Sequence, residues 1–238
     1  MPDFLLSYKT FGERAILIEW PSEINEFILN DIVNFKDTIE KELALKDCIV
    51  GYNSLLLVYD CLIINSVSKI EFLKELYQKN YSVIKQKGIH WKIPVCYDKS
   101  FGIDLDEISN TLNLSVEEII QLHSKVIYTV YFIGFLPGFL YLGGLDEQIA
   151  IPRKATPRLM VPKGAVAIGG NQTGIYPSQS SGGWNIIGSS PISFFDIQNQ
   201  HPCFAKTGDK ISFENISLAE YEKVKQQVES KDYQMQKI

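Results

Sequence analysis

The stretch VIYTVYFIGFLPGFLYLGGL, residues 126–145, runs for twenty residues without a charge, about the length of a bilayer-spanning helix. Gly134, Pro137, Gly138, Gly143 and Gly144 argue against a membrane span, because each would free helix backbone groups that find no partner in lipid. The segment instead reads as strand, turn and strand in a β-rich core. Working outward, short apolar runs at 165–169, 174–176, 184–187, 192–195 and 210–213 are separated by turn residues, which suggests a compact barrel. Upstream, Ser115-Val116-Glu117-Glu118 fits a capping box and opens a helix that ends near His123. Residues 218–228 form a terminal helix followed by a frayed polar tail.

The first ninety residues have a different texture. Apolar runs at 4–6 and 15–20 read as strands. Ser22 then caps a helix whose Ile24, Phe27, Ile28, Phe35, Ile39 and Leu43 recur at three- and four-residue steps. Strands follow at 48–52 and 55–59, Ser66 or Ser68 opens a second helix, and a strand at 90–96 closes the set. The order β-α-β-β-α-β is that of a ferredoxin-like α/β sandwich, a fold that hosts many functions and identifies none. The expected architecture is therefore α+β and mainly β: a domain over 1–90 and a β-barrel domain over 91–238, joined by a short connection.

Composition excludes several classes. The 238 residues are 45% hydrophobic and 21% charged, with a formal net charge of -5, which does not suit a surface that neutralises nucleic-acid phosphates. Cys48, Cys61, Cys96 and Cys203 are scattered singly, without the spacing of a zinc or redox site, and fit a reducing cytoplasm. Residues 1–20 lack the basic-apolar-small order of a secretory signal. Neither a GxxxxGK[ST] phosphate cradle nor a Gly-x-Ser-x-Gly nucleophile elbow occurs.

The candidate chemistry lies between Gly134 and Pro191. Arg153, Lys154, Arg158 and Lys163 gather four cations in one segment of an acidic chain, stiffened by Pro152, Pro157 and Pro162. Arginine offers a forked donor to a carboxylate or phosphate. The alternative is a solvated loop paired with acids such as Asp146 and Glu147. Asn171, Gln172, Thr173 and Tyr176 set amide and hydroxyl groups among glycines, as a polar-ligand site or as a turn with Tyr176 in the core. Trp184, after Gly182-Gly183, is a pocket wall or packing. His123 is a candidate base or hydrogen-bond partner, or equally a helix-end contact. His201 with Cys203 does not make a metal site, and His90 reads as structural.

The ordered motifs Gly134-Phe135-Leu136-Pro137-Gly138-Phe139, Ile151-Pro152-Arg153, Ala155-Thr156-Pro157-Arg158, Val161-Pro162-Lys163-Gly164, Gly169-Gly170-Asn171-Gln172-Thr173-Gly174-Ile175-Tyr176-Pro177 and Gly182-Gly183-Trp184-Asn185 resemble one family. Its members are Kip inhibitors, first subunits of allophanate hydrolase and B-type subunits of 5-oxoprolinase. Gly12-Glu13-Arg14-Ala15, Ile93-Pro94-Val95-Cys96-Tyr97 and Leu122-His123-Ser124 extend the likeness over nearly the whole chain. Two stretches depart from the family pattern, Lys125-Val126-Ile127 and Gln179-Ser180-Ser181. The resemblance implies a cyclophilin-like barrel for the second domain. It also implies ATP-dependent hydrolysis of 5-oxo-L-proline to L-glutamate, carried out with two partners, a homologous second barrel of the C type and a third chain of the A type. ATP, with Mg as its counter-ion, would phosphorylate the amide oxygen so that water can attack, and no tightly bound metal is expected. Within that reading Arg158, Lys163 and His123 take the catalytic tasks, and Arg153, Asn171, Gln172, Thr173, Tyr176 and Trp184 bind substrate. Phe135, Leu136, Phe139 and Trp184 would close the pocket against the partner. The same family likeness leaves two other functions open, inhibition of a sensor histidine kinase and a part in a urea or allophanate enzyme. The sequence shows no fused biotin-carboxylase or biotin-carrier segment.

Overall fold

The computed structural model describes residues 4–79 and 88–238, and the chain divides into two compact units, Met1–Lys87 and Gly88–Ile238. In the first, strands β1 (Ser7–Thr10), β2 (Ala15–Glu19), β3 (Asp47–Val50) and β4 (Ser54–Val58) form an antiparallel sheet in the order β1-β2-β4-β3. Helices α1 (Glu26–Glu42) and α2 (Ser66–Lys79) belong to the same unit. Helix α1 starts three residues later than the Ser22 cap predicts: Asn25 is the cap, and its side chain accepts from the Phe27 N–H at 2.8 Å. The buried stripe is Ile28, Ile32, Phe35 and Ile39, and Phe27 is exposed. The stripe shares one core with Ile16 and Ile18 of β2, Leu55 and Leu57 of β4 and Leu73 of α2.

The strand expected to close this sheet, at 90–96, does not belong to it. Strand β5 (His90–Val95) lies in the second unit and pairs in parallel with β13 (Lys210–Asn215) over six residues. The reason is visible in its burial pattern: Trp91, Ile93 and Val95 all face the large core of the second unit. The edge position it would have taken in the first sheet is held by β1, which pairs with β2 as a hairpin.

The second unit adds α3 (Leu105–Leu112), α4 (Val116–Ser124), β6 (Ile127–Ile133), β7 (Leu140–Gly143), β8 (Arg158–Val161), β9 (Ala165–Gly169), β10 (Gln172–Ile175), β11 (Ser180–Gly182), β12 (Asn185–Ser189), α5 (Leu218–Glu229) and β14 (Gln236–Lys237). Residues 126–145 do form strand, turn and strand, as β6 and β7. Ser115 does make the capping box, with both reciprocal bonds present. No described helix is long and apolar enough to cross a membrane. The expected strand at 192–195 does not form, while β8, β11 and β14 were not foreseen. The main sheet runs β12-β9-β10-β7-β6-β13-β5-β14. One isolated bridge links Ser189 of β12, at one end, to Cys96 just after β5, the next-to-last strand, so the ladder stops short of a closed barrel.

Side chains on β9, β7 and β12 alternate between two cores, as the period of two in a strand requires. Val166, Ile168, Leu140, Leu142 and Ile187 enter the large core, whereas Ala165, Ala167, Tyr141 and Ile186 join Phe139, Val161, Tyr176 and Trp184 in a second, smaller one. The antiparallel pair β8–β11 forms a separate two-stranded sheet, and its Val161 enters that small core.

Candidate active site

The small core is largely aromatic. Phe139 meets Tyr176 and Trp184 edge to face, with ring centroids 5.2 and 5.6 Å apart, and Phe135 approaches it at 5.6 Å in the same geometry. Such contacts align ring edges with ring faces and fix the rings more tightly than area burial alone. Gly182 is required here, because a Cβ at that position would stand 2.3 Å from the Tyr176 hydroxyl. A cavity of about 280 Å3 opens on this cluster, lined by Phe135, Phe139, Tyr141, Arg153, Lys154, Pro157, Tyr176, Trp184 and residues 181–183.

Two cations line the cavity. The Arg153 guanidinium lies 5.4 Å from the Trp184 ring centroid, a cation–π arrangement. The Lys154 ammonium donates to Glu107 at 2.7 Å and to the buried Asp104 at 3.2 Å. Burial works against the charge on Lys154, but its hydrogen bonds to Glu107 and Asp104 outweigh it and raise its pKa. Burial raises the Tyr176 hydroxyl pKa, against a backbone hydrogen bond from Trp184 and the opposing charges of Arg153 and Arg158.

Asp104 organises this corner. It is 2% exposed, and its carboxylate accepts from Arg158 Nη2 at 2.5 Å and from the Ile186 N–H at 2.7 Å, in addition to Lys154. A buried carboxylate costs several kcal/mol unless donors replace its water, and three donors do so here. Arg158, on β8, therefore spends one prong of its fork on Asp104; its other terminal nitrogen, Nη1, is buried without a hydrogen-bond partner.

The structure separates the residues that the sequence groups together. Arg153, Tyr176 and Trp184 line the cavity. Arg158 reaches the same corner through Asp104. Asn171 is exposed on the turn between β9 and β10, Gln172 is half-buried beside it, and Lys163 is exposed on the turn after β8; none of the three lines the cavity. His123 and Thr173 lie inside the fold. His123 Nδ1 is 2.8 Å from the Tyr97 hydroxyl and Nε2 is 2.9 Å from Thr173 Oγ1, which itself donates to the Ala167 carbonyl at 3.0 Å. Thr173 having spent its proton, Nε2–H must donate to it, and Nδ1 accepts from Tyr97. The ring stacks on Phe213 at 4.8 Å, and desolvation lowers its pKa to about 3. It is not among the residues that line the cavity, and both of its nitrogens are occupied.

Asp104 and Glu107 are functional candidates that the sequence reading missed. The only local signal was Asp104 before the run Leu105–Leu112, a helix-start pattern. Its side chain makes no cap bond and serves the cations instead. The first unit holds a wider hollow of about 620 Å3, with Phe4, Leu6, Tyr8 and Tyr77 in its walls, and none of the expected site residues lies in it. Among the described residues no cluster of three metal-binding side chains occurs.

The family of the carboxyltransferase domain, subdomains C and D, matches residues 6–205, and the chain belongs to it. Within that class the similar curated proteins carry a narrower name. The chain is 35% identical over 236 residues to the B-type subunit of 5-oxoprolinase from Bacillus subtilis, covering 91% of this chain and 95% of that protein. It is 40% identical over 209 residues to the B-type subunit of 5-oxoprolinase from Haemophilus influenzae, covering 87% and 97%. Among solved structures, the urea amidolyase of Kluyveromyces lactis matches with a TM-score of 0.84 at 18% identity, over 98% of this chain and 16% of that one, a likeness of fold.

Proposed function

We propose that the chain is the B-type subunit of a 5-oxoprolinase, working with partner subunits in the cytoplasm to hydrolyse the cyclic amide of 5-oxo-L-proline to L-glutamate with consumption of ATP. The observation that carries this reading is the likeness, over nearly the full length of both chains, to two curated subunits of that name. The cavity supports it. Its volume of about 280 Å3 lies just below the range usual for small-molecule sites, which suits a five-membered lactam acid. We therefore assign the lactam to this cavity. Arg153 and Lys154 are the cations that would hold the substrate carboxylate, and Tyr176 and Trp184 are the walls on which its ring would rest. Arg158 acts one step back, and His123 receives no role in ligand contact.

The partners are a homologous barrel of the C type and a third chain of the A type. The fold reading that goes with this function is a ferredoxin-like first domain, with β1 in place of the usual last strand, and a cyclophilin-like second domain. The exposed Phe135 beside the cavity supports closure by a partner surface. The test is to mix the purified chain with its two partner subunits and follow ATP hydrolysis. It should require 5-oxoproline and all three chains. Arg153→Met should raise the KM for 5-oxoproline about tenfold or more, the weight of one charge-assisted contact. ATP hydrolysis that ignores 5-oxoproline would overturn the reading.

A further inference from the structure

The cations at the cavity are held by a buried acid with a geometry of its own. Asp104 is clamped at two points to residue 186 of β12: its N–H donates to the Ile186 carbonyl at 3.0 Å, and its carboxylate accepts the Ile186 N–H. The segment carrying Arg153 and Lys154 is pinned to the start of the same strand. Lys154 N–H donates to the Gly183 carbonyl at 2.7 Å, and Asn185 Nδ2 donates to the Pro152 carbonyl at 2.9 Å. Asp104, Lys154, Arg158 and the Trp184 wall thus share one rigid frame, in which the carboxylate fixes where two cations point.

Counting charge gives that frame a chemical meaning. Lys154 and Arg158 are paired with Asp104 and Glu107, while Arg153 lies over Trp184 and pairs with no carboxylate among the described residues, so three cations and two carboxylates leave one positive charge in excess. We propose that Asp104 is a positioning residue that sets Lys154 and Arg158 and trims the pocket to one excess positive charge, so that it selects a monocarboxylate over a dicarboxylate. This rests on the lactam site proposed above. The lactam acid carries one carboxylate and a neutral amide nitrogen. Ring opening adds water across the C–N bond, so the product gains a second carboxylate and an ammonium, and one excess positive charge can neutralise only one of its two carboxylates.

The proposal is tested on two independent readings of Asp104→Asn, which keeps the size of the side chain and its acceptor for the Ile186 N–H. The first needs no substrate. On the full chain alone, the half-hidden Lys154 is labelled with a water-soluble amine-reactive ester and quantified by peptide mapping. Without the carboxylate that favours its charged form, Lys154 should label about fivefold faster. Unchanged labelling would overturn the positioning role. The second uses the assembled complex and compares inhibition by glutarate, a dicarboxylate, with the KM for 5-oxoproline. The excess charge doubles in the variant, so preference should move toward glutarate by about tenfold. A merely structural defect would weaken both ligands alike, and an unmoved ratio would overturn the charge selection. Asp104→Asn/Lys154→Met restores the charge count and should return the ratio to within about threefold of wild type, the scatter expected of coupled sites. It also serves if the single variant fails to fold, and a ratio still shifted toward glutarate would overturn the proposal. If the wild-type complex does not turn over 5-oxoproline at all, the proposed function fails, while the labelling still decides what Asp104 does.

Discussion

At His123 a residue type that sequence motifs offer for catalysis is put to structural use. Burial holds its pKa at about 3, against an ordinary value of 6.5. Between those values the unfolded chain takes up a proton that the native state refuses. The stabilisation is therefore complete above about pH 6.5 and is lost as pH falls toward 3. The expected measurement compares wild type with His123→Gln, whose amide can serve the same two partners without titrating. Wild type should be the more stable at pH 7, and its advantage should shrink by about 3 kcal/mol by pH 4, at 1.36 kcal/mol per unit. Denaturant unfolding at both pH values checks this, and a gap that stays constant would show that the ring is protonated in the folded protein. Sequence alone could place His123 at a helix end but could not show which way it faced. Arg153, Tyr176 and Trp184, which line the cavity, stand out in the sequence as candidates because glycines and prolines crowd them. Asp104 was not, since its value comes from contacts 50 and 54 residues away along the chain.

Among the connecting elements, the turn between β6 and β7 carries the clearest strain. Phe135 sits at φ 66°, and the Leu136 N–H donates back to the Gly134 carbonyl at 2.8 Å, which makes Phe135 the centre of a γ-turn of the rare hand. An aromatic residue in that region costs about 1–2 kcal/mol, so glycine would be the local preference. Yet the ring is 59% exposed: the sequence leads one to expect residues 134–141 to be buried in the barrel or at a partner contact, and Phe139 takes the first place while Phe135 is left for the second. A strained residue that packs little is consistent with a surface kept for a partner. Phe135→Gly should be more stable than Phe135→Ala by about 1 kcal/mol, or roughly 3 °C in melting temperature, because only glycine releases the strain. Both variants should lose complex formation with the partner subunits by about tenfold or more if the ring is a contact anchor. Equal melting of the two variants would remove the strain argument, and unimpaired assembly would remove the contact. The same turn shows what sequence could and could not supply. Its glycines announced a break between strands, and Gly138 does occupy φ 83° against the Phe194 carbonyl. No pattern announced Phe135 in that conformation.

Over the whole molecule, periodicity found most of the elements, but pairing partners distant in sequence were beyond it. Strand β5 follows α2 in the chain and completes a β-α-β-β-α-β order, which is why the sequence assigns it to the first sheet. Its register is instead set by β13, about 120 residues further on, and by β14 near the end of the chain. The buried Asp209 adds a lock: its carboxylate accepts from the Ile89 N–H and from Trp91 Nε1, both at 2.8 Å, and from the Lys206 N–H at 3.0 Å. These bonds and the ladders of β5 lie within 88–238, so a fragment of those residues should fold and melt in one transition. A fragment of 91–238 drops the Ile89 donor and the pairing of His90, leaving a buried carboxylate short of one hydrogen bond. It should lose about 1–3 kcal/mol relative to 88–238, the usual cost of an unsatisfied buried group. A fragment of 97–238 lacks Trp91, Ile93 and Val95 altogether and should not fold, since deleting several large core side chains exceeds the few kcal/mol by which domains are stable. Calorimetry of the three fragments decides the matter: equal melting of 88–238 and 91–238 would show that Asp209 does not hold the start of β5, and a folded 97–238 would show that β5 is dispensable to the sheet.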